Sequence, residues 1–211
     1  MDSSTINAPD RLDVVGRSVS VAVIGKPTRP TAYVDSRFFH GVRHAGEDTL
    51  FWEGKPMFPL LQIRVDELPF VPVQLRHIAV LVLYMNLQSY PFGQPHGQGW
   101  AIREYACAEG LSAVHNVLSP DHSYPIHWRK AHEGADAFQS QTAGRPCDGA
   151  AGHCTGTKVG GYPSEILRTS RLDEFVFQIA SESLINWKWA ENGVGLFFRS
   201  AQGEWRWSCE F

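Results

Sequence analysis

The fold of this chain is decided by residues 160–199, which read GGYPSEILRTSRLDEFVFQIASESLINWKWAENGVGLFFR. The stretch begins with a glycine pair in a turn, passes through the apolar run FVFQIA and a polar loop with two tryptophans, and ends in the apolar run GVGLFF. Short runs rich in Val, Ile and Phe, bounded by Gly and polar residues, are typical of β-strands. We therefore expect two neighbouring strands, and the short loop between them favours antiparallel pairing.

An earlier segment, residues 59–86, has the same plan. It reads PLLQIRVDELPFVPVQLRHIAVLVLYMN, with a Gln inside the first apolar run and a β-branched second run. Gln62 precedes Val80 by 18 residues, and Gln178 precedes Leu196 by 18 residues. The equal spacing predicts an internal duplication in which Val80 takes the position of Leu196.

The rest of the chain is consistent with a single β-rich domain over residues 1–211, a length that can bury one sizeable core. We predict an α+β fold, β-rich with mainly antiparallel sheets and few short helices. Two repeat-like halves, at about residues 18–106 and 155–211, flank an irregular insertion at 107–154. Further strand patterns and one modest helix pattern complete this prediction: strands at 18–24, 100–106 and 203–211, and a helix at 129–139.

Composition excludes several classes of protein. Hydrophobic residues make up 43% and charged residues 19% of the chain, which argues against disorder, and no apolar run is long enough to cross a bilayer. The N-terminal residues lack the basic and apolar regions of a secretory signal, which predicts a cytoplasmic location. A formal net charge of −3 argues against a nucleic-acid partner. In the reducing cytoplasm, all four cysteines are expected to be thiols.

Two groups of residues could hold a metal, and neither has the usual spacing. Cys147 and Cys154 have six residues between them, with His153 beside the second, whereas paired zinc ligands usually have about two to four residues between them. Five histidines and three acids in the irregular segment could also form a metal or acid–base site: His115, His122, His127, His132 and His153 with Asp121, Glu133 and Asp136. We predict no metal and no cofactor. The alternative is a metal- or small-molecule-binding enzyme that uses the His-rich segment 115–153.

Gln62 and Gln178 are amides in equivalent places inside apolar strands. A buried amide needs hydrogen-bond partners, so each is expected to satisfy backbone groups at a turn or bulge. The alternative is that the two amides together bind a ligand at the centre of the duplicated fold.

The tryptophans fall into two pairs. Trp187 and Trp189 lie two residues apart in a polar loop, so an extended backbone would place both on one side. Because Trp is a favoured interface anchor, this pair is a candidate for partner binding. Trp205 and Trp207 repeat the spacing in the last strand, where core packing is expected.

These landmarks resemble the YwqG-like family of bacterial domains. The resemblance covers about residues 18–207 and rests on four motifs: Ser36-Arg37-Phe38 with Phe39 and Gly41, Gly54-Lys55-Pro56-Met57 before Leu61-Gln62-Ile63, Gly160-Gly161-Tyr162-Pro163 before Phe177-Gln178-Ile179, and Gly193-Val194-Gly195 before Phe197-Phe198. His40 stands where the family has Gly, and no Pro follows Gly41. The resemblance implies a duplicated α+β fold and no established catalytic residues. Some members of the family resemble immunity proteins encoded beside secreted toxins.

The resemblance and the residues together predict a binding protein that is not an enzyme. We expect a cytoplasmic immunity protein that neutralises a co-encoded toxin, of which a nuclease would be one kind, by covering its active site. The expected partner-binding residues are Trp128, Arg129, Trp187 and Trp189, supported by residues 120–160. No catalytic residue, membrane contact or direct nucleic-acid contact is expected. A generic protein-interaction module is a further alternative to the enzyme.

Overall fold

The computed structural model describes residues 16–29, 34–88, 90–114, 122–134, 154–164, 172–190 and 192–210. Within these residues the secondary structure is fourteen β-strands and three single-turn 3-10 segments, at Val65–Glu67, Val73–Leu75 and Ser183–Ile185. The strands are β1 (Arg17–Ile24), β2 (Arg37–Phe38), β3 (Val42–His44), β4 (Phe51–Trp52), β5 (Lys55–Pro56), β6 (Phe58–Arg64), β7 (Val80–Met85), β8 (Trp100–Tyr105), β9 (Leu111–Ala113), β10 (Tyr124–Glu133), β11 (Lys158–Gly160), β12 (Phe175–Ala180), β13 (Val194–Arg199) and β14 (Trp205–Glu210).

Ten of the described strands form one antiparallel sheet that curls into a nearly closed barrel. Their order is β14-β13-β12-β11-β1-β10-β2-β6-β7-β8. The two edge strands, β8 and β14, meet through side chains: Glu104 in β8 accepts hydrogen bonds from Trp205 Nε1 at 2.5 Å and from Arg199 Nε at 2.9 Å. These contacts close the sheet around a single interior.

Each strand on one side of the sheet has a counterpart at the same distance from the opposite edge. The strands β14, β13, β12 and β11 on one side correspond to β8, β7, β6 and β2 on the other, and β1 and β10 pair at the centre. Val21 pairs with Lys158 of β11, and Pro125 pairs with Arg37 of β2. Val21 precedes Val23 by two residues, and Pro125 precedes His127 by two residues, and Val23 and His127 pair with each other. The two halves are therefore related by a twofold arrangement centred on that pair. Arg37 and Lys158 thus hold corresponding positions, and both are buried.

Corresponding hydrogen bonds hold the two halves. Arg64 N donates to Ser36 Oγ at 2.9 Å in the first half. In the second half, Ala180 N donates to Thr157 Oγ1 at 3.1 Å. Each hydroxyl, one residue before β2 or β11, therefore accepts from the backbone N–H of the last residue of β6 or β12.

The amide nitrogens of the two buried glutamines satisfy backbone groups, as expected, although Gln62 Oε1 is buried without a partner among the described residues. Gln62 Nε2 donates to Asp35 O at 2.7 Å, and Gln178 Nε2 donates to Gly156 O at 2.8 Å. Both side chains are fully buried. Each amide fixes the segment that leads into β2 or β11, which is a structural role.

The main core fills the barrel, and two smaller apolar clusters lie on its outer face. The two-stranded sheet β3–β9 and the hairpin β4–β5 lie outside β7 and β8, where Val42 and Met57 pack against Val82 and Tyr84. On the second half, Phe175 packs against Phe198 with ring centroids 5.7 Å apart. The interior contains residues from both halves, including Leu81, Trp100, Phe177, Trp189 and Phe197.

The predicted strands are confirmed, and three expectations need correction. The α-helical part of the α+β class is absent from the described residues, whose helical segments are 3-10 turns. The helix expected at 129–139 is wrong where it is described, because residues 129–133 belong to β10, which pairs with β1 over eight residues. The insertion 107–154 therefore contains a central strand of the sheet.

The third correction concerns register. Gln178 lies opposite Leu196, but Gln62 lies opposite Val82, and Val80 pairs with Arg64. The connection between β6 and β7 is two residues longer than the connection between β12 and β13. The equal 18-residue spacing therefore does not mark equivalent positions, although Gln62 and Gln178 do correspond.

The cysteines also differ from expectation. Cys107 and Cys209 are thiols, as predicted, but Cys154 is disulfide-bonded. A disulfide sulfur cannot act as a zinc-binding thiolate, so Cys154 is not available to the candidate zinc site. Cys147 and His153 lie outside the described residues. In the part of the chain that the structure describes, no helix is long and apolar enough to span a membrane.

Candidate functional site

The loop between β12 and β13 folds back into the end of the barrel. Its 3-10 turn ends at Asn186, which has a left-handed backbone (φ 55°). Glu182 and Trp187 then exchange backbone hydrogen bonds at 2.8 and 3.1 Å, and Trp189 N donates to Ser181 Oγ at 3.0 Å. This bonding turns both tryptophan side chains inward instead of toward solvent.

Trp187 and Trp189 are consequently buried, and the expectation that they are exposed anchors is wrong. Trp187 is 6% exposed and Trp189 is 0% exposed. Their ring centroids lie 5.1 Å apart at nearly a right angle. Gly195 of β13 leaves the space that Trp189 occupies, because a Cβ at that glycine would lie 2.5 Å from the indole.

The two tryptophans belong to a larger group that we call the aromatic cluster: Tyr90, Phe92, Trp187, Trp189 and Trp207. Tyr90 lies 6.2 Å from Trp187 and 5.8 Å from Trp189 between ring centroids. Trp207 lies 5.5 Å from Trp189 and is stacked with Phe92 at 5.7 Å. The cluster joins the loop between β7 and β8 to the loop between β12 and β13, so it closes one end of the barrel.

The outer part of the cluster is exposed, and with two leucines it forms what we call the end patch: Leu87, Tyr90, Phe92 and Leu184. These side chains are 47%, 36%, 46% and 57% exposed, respectively. All four lie in the two loops at the same end of the barrel. Exposed apolar side chains grouped in this way are typical of interaction sites.

Three indole N–H groups in the aromatic cluster are buried without a hydrogen-bond acceptor among the described residues: those of Trp187, Trp189 and Trp207. Two other tryptophans are satisfied. Trp100 Nε1 donates to Gln94 O at 2.9 Å, and Trp205 Nε1 donates to Glu104 Oε1 at 2.5 Å. A fourth buried indole donor without an acceptor among the described residues belongs to Trp128 of β10, outside the cluster. Three of the four therefore lie together in the aromatic cluster.

The two other predicted partner-binding residues lie on opposite faces of β10. Trp128 is half-buried and packs against the main core, so it is not the exposed anchor that we expected. Arg129 is exposed and pairs with Val21 across the ladder, on the outer face of the barrel.

A buried ion pair lies near the start of β1, at the other end of the barrel. Lys158 Nζ donates to Glu133 Oε1 at 2.5 Å, and both side chains are 0% exposed. Burial lowers the pKa of Lys158 to about 8, and the charge of Glu133 partly offsets that effect. Gly161, with φ 74°, approaches the carboxylate so closely that a Cβ would lie 2.2 Å from Glu133 Oε2. The pair is enclosed by the backbone and joins β10 to β11.

The His-rich segment does not assemble a metal site in its described part. His127 and His132 are both exposed on β10, and Glu133 is engaged by Lys158. The described residues contain no group of three or more His, Cys, Asp or Glu that could hold a metal ion. His122 is also described. The remaining candidate ligands in this segment lie outside the described residues: His115, Asp121, Asp136, Cys147 and His153.

Sequence reasoning missed Tyr90 and Phe92 and misplaced the tryptophans. The segment SYPFGQPHGQG at 89–99 carries two aromatics among glycines and prolines, and this composition indicates only a turn. An aromatic pair in an otherwise polar connection was the available signal. Its significance depends on contacts with a loop about a hundred residues later in the chain, which local pattern does not predict.

No model of a known protein family matches this chain, and no curated protein matches it significantly.

Proposed function

We propose that this protein is an immunity protein that binds a co-encoded bacterial toxin and catalyses nothing itself. The observation that carries this proposal is the end patch, in which Tyr90 and Phe92 are exposed over buried tryptophans. The occupant we propose is a protein surface that covers this end of the barrel. The partner surface includes the active site of the toxin, which the complex blocks.

The end patch has the physical properties of an interface hot spot. Tyr and Trp dominate such regions because they bury large areas with little loss of side-chain entropy. Tyr90 is held by ring contacts with Trp187 and Trp189 and by a short hydrogen bond from its hydroxyl to Lys188 O. These contacts hold Tyr90 in place in the free protein, which lowers the entropic cost of covering this end with a partner.

The choice of a toxin as partner is supported by the resemblance to the YwqG-like family, some members of which resemble immunity proteins. A protective inhibitor needs a dissociation constant near nanomolar, or about −12 kcal/mol. The net charge of −3 would suit a nuclease with a basic active-site face. Arg129 on the outer face of β10 stays a predicted secondary contact, whereas Trp187 and Trp189 support the end patch from beneath.

The test is binding of the purified protein to the product of an adjacent toxin-like reading frame. Phe92→Ser and Leu184→Ser should each weaken the complex by about 2 kcal/mol, a rise in dissociation constant of about thirtyfold. The matched controls are Val73→Ser and Phe51→Ser, which remove side chains that are 65% and 59% exposed outside the end patch. Circular dichroism and denaturation midpoints check that every variant is folded.

Two outcomes contradict different parts of this proposal. If the complex forms and the end-patch variants bind as tightly as the controls, the toxin docks elsewhere. If no toxin-like product binds the parent protein, the immunity function is wrong.

A cytoplasmic location is part of the same proposal, and Cys154 provides its test. Disulfides persist mainly in oxidising compartments, so an oxidised Cys154 in the working protein would favour a compartment outside the cytoplasm. Rapid alkylation of intact cells followed by mass spectrometry of the Cys154 peptide distinguishes the two states. A thiol at Cys154 in active protein supports the cytoplasm, and a disulfide argues against it.

We also infer that the two halves arose by internal duplication. The inference is supported by the symmetric strand order and by the corresponding hydrogen bonds of Gln62 and Gln178. Sequence profiles built from relatives of residues 17–105 and 124–210 should align with Gln62 on Gln178 and Trp100 on Trp205. If the profiles align in another register, or do not align, duplication is not the origin of the symmetry.

A further inference from the structure

The buried indole donors of the aromatic cluster need an explanation. Trp187, Trp189 and Trp207 each bury an Nε1–H that has no acceptor among the described residues. Leaving a buried donor unsatisfied costs about 1–3 kcal/mol, and native structures contain few such groups. Trp128 of β10 buries a fourth such donor outside the cluster, and the three that lie together indicate a site whose acceptor comes from outside the described residues.

The loop that holds two of these donors has a strained backbone. Asn186, Ala190 and Asn192 have φ values of 55°, 41° and 76°. Left-handed backbone is unfavourable for residues other than glycine, and most of all here for Ala190, which lacks the local hydrogen bonding of Asn. Strain of this kind persists where surrounding contacts impose it, and it concentrates at ligand sites.

A small cover lies over the donors. Tyr90 and Phe92 contact the three tryptophan rings from the solvent side. The hydroxyl of Tyr90 donates to Lys188 O, which joins the cover to the loop between β12 and β13. Displacing this one aromatic pair would open a path to the indole groups without disturbing a strand of the sheet.

The corresponding positions of the other half carry no such donors. Ile102 of β8 pairs with Leu83 as Trp207 of β14 pairs with Phe197. The two halves share the polar groups that hold the sheet, but the indole donor is present on one side only. A requirement of the fold itself would be expected in both halves, so the difference indicates a role specific to this end.

We propose that the aromatic cluster is the closed form of a binding site for a small planar molecule that carries a hydrogen-bond acceptor, an aromatic carboxylate being the favoured class. The molecule enters when Tyr90 and Phe92 move aside, stacks against the tryptophan rings and accepts hydrogen bonds from their Nε1–H groups. This site goes beyond the proposed toxin binding and does not depend on it.

The chemistry of the lining selects this class of ligand. Indole Nε1–H is a donor only, so a ligand that offers only donors leaves the cost of the buried N–H groups in place. Flat aromatic faces favour a planar body. A carboxylate is a stronger acceptor than a neutral carbonyl, because hydrogen bonds to a charged acceptor are roughly twice as strong.

The experiment follows the indole N–H resonances of the ¹⁵N-labelled protein during titration with 2-naphthoate. Resonances are assigned from single Trp→Phe variants. We expect saturable shifts of the Trp187, Trp189 and Trp207 signals, while Trp205, whose donor is already satisfied by Glu104, stays unshifted as the internal control. The ligand control is 2-naphthylmethylammonium, which has the same rings and no acceptor, and it should not produce these shifts.

A variant of the cover tests the closed state separately. Tyr90→Phe keeps the ring and removes the hydroxyl that bonds to Lys188 O. Because one net hydrogen bond contributes about 1 kcal/mol to the closed form, the variant should bind 2-naphthoate about fivefold more tightly through easier opening. The distant exposed variant Val73→Ser should bind like the parent.

The proposal is overturned if 2-naphthoate gives no saturable indole shifts, if Trp205 shifts as much as the cluster, or if the ammonium analogue binds equally well. If Tyr90→Phe binds 2-naphthoate with unchanged or weaker affinity, the hydroxyl of Tyr90 does not hold the site closed. These outcomes are independent of toxin binding, which is measured with a different partner.

Discussion

Lys158 and Glu133 form an ion pair in which neither side chain reaches solvent: Nζ donates to Oε1 at 2.5 Å, and both residues are 0% exposed. Glu133 also accepts backbone hydrogen bonds from Cys154 N at 2.7 Å and Tyr162 N at 2.5 Å. One carboxylate therefore connects β10 with the segments before and after β11. Such a pair fixes geometry, and its net contribution to stability is small because each charge loses its hydration.

The first prediction separates the effect of the buried charges of Lys158 and Glu133 from that of the backbone hydrogen bonds that Glu133 accepts. Lys158→Met should destabilise the protein by about 3–5 kcal/mol, because it leaves the Glu133 carboxylate buried without a counter-charge. The double variant Lys158→Met/Glu133→Gln should recover only part of that loss. Both charges are gone, but the single Gln oxygen accepts from one of the two backbone N–H groups, of Cys154 and Tyr162, and the Gln NH2 cannot accept from the other. Urea denaturation of the single and double variants measures the coupling. A Lys158→Met variant as stable as the parent would show that the pair is not buried in solution.

The second prediction is a pH dependence of stability. Burial lowers the pKa of Lys158 in the folded protein to about 8, below its ordinary value of 10.5. Between these values the unfolded chain binds more protons than the folded one, so the contribution of Lys158 to the free energy of unfolding rises with pH. Below about pH 8 the cost of the buried charge is present in full.

The measurement compares the parent with Lys158→Met/Glu133→Gln across that range. The parent should gain stability relative to the double variant as pH rises from about 8 to 10.5. Tyr84, whose pKa burial raises to about 12, is present in both proteins, so its effect cancels in the difference. Parallel pH curves for the two proteins would contradict the lowered pKa.

The third prediction concerns the interior of the barrel. Leu81 and Phe197 are both fully buried, and Phe197 stacks on Phe177 with ring centroids 4.4 Å apart. Leu81→Ala and Phe197→Ala should each cost about 2–5 kcal/mol through lost burial and the cavity left behind. Val73→Ala, at a position that is 65% exposed, is the control and should change stability by less than about 0.5 kcal/mol. Denaturation midpoints like that of the parent would mean that these side chains of β7 and β13 do not form part of the barrel core.

The sequence predicted the strands whose two faces are both covered or clearly alternate. β7 and β13 are continuous apolar runs, and β1 alternates between small polar and branched residues, so each pattern indicated its structure. β10 was missed because its exposed outer positions, including His127 and Arg129, interrupt the apolar signal. Its partner β1 is about a hundred residues away, and such pairing leaves no local pattern.

The burial of Trp187 and Trp189 could not be predicted for a similar reason. Their segment is polar and carries Asn186, Lys188 and Glu191, a composition typical of an exposed loop. The left-handed turn at Asn186 and the contact with Tyr90 reverse that expectation. Tertiary contacts thus decide which side of the loop faces the core.

The final prediction compares two tryptophans that differ in whether their donor is satisfied. Trp100 and Trp189 are both almost fully buried, and replacement by Phe removes the same atoms from each. Trp100→Phe also breaks the hydrogen bond to Gln94 O, whereas Trp189→Phe removes a donor that has no acceptor among the described residues. The cavity costs are similar, so Trp100→Phe should be more destabilising by about 1–3 kcal/mol. Urea denaturation of both variants without added ligand measures the difference. If Trp189→Phe proves as costly as Trp100→Phe, the Trp189 indole is already satisfied in solution, and the closed site proposed for the aromatic cluster has one free donor fewer.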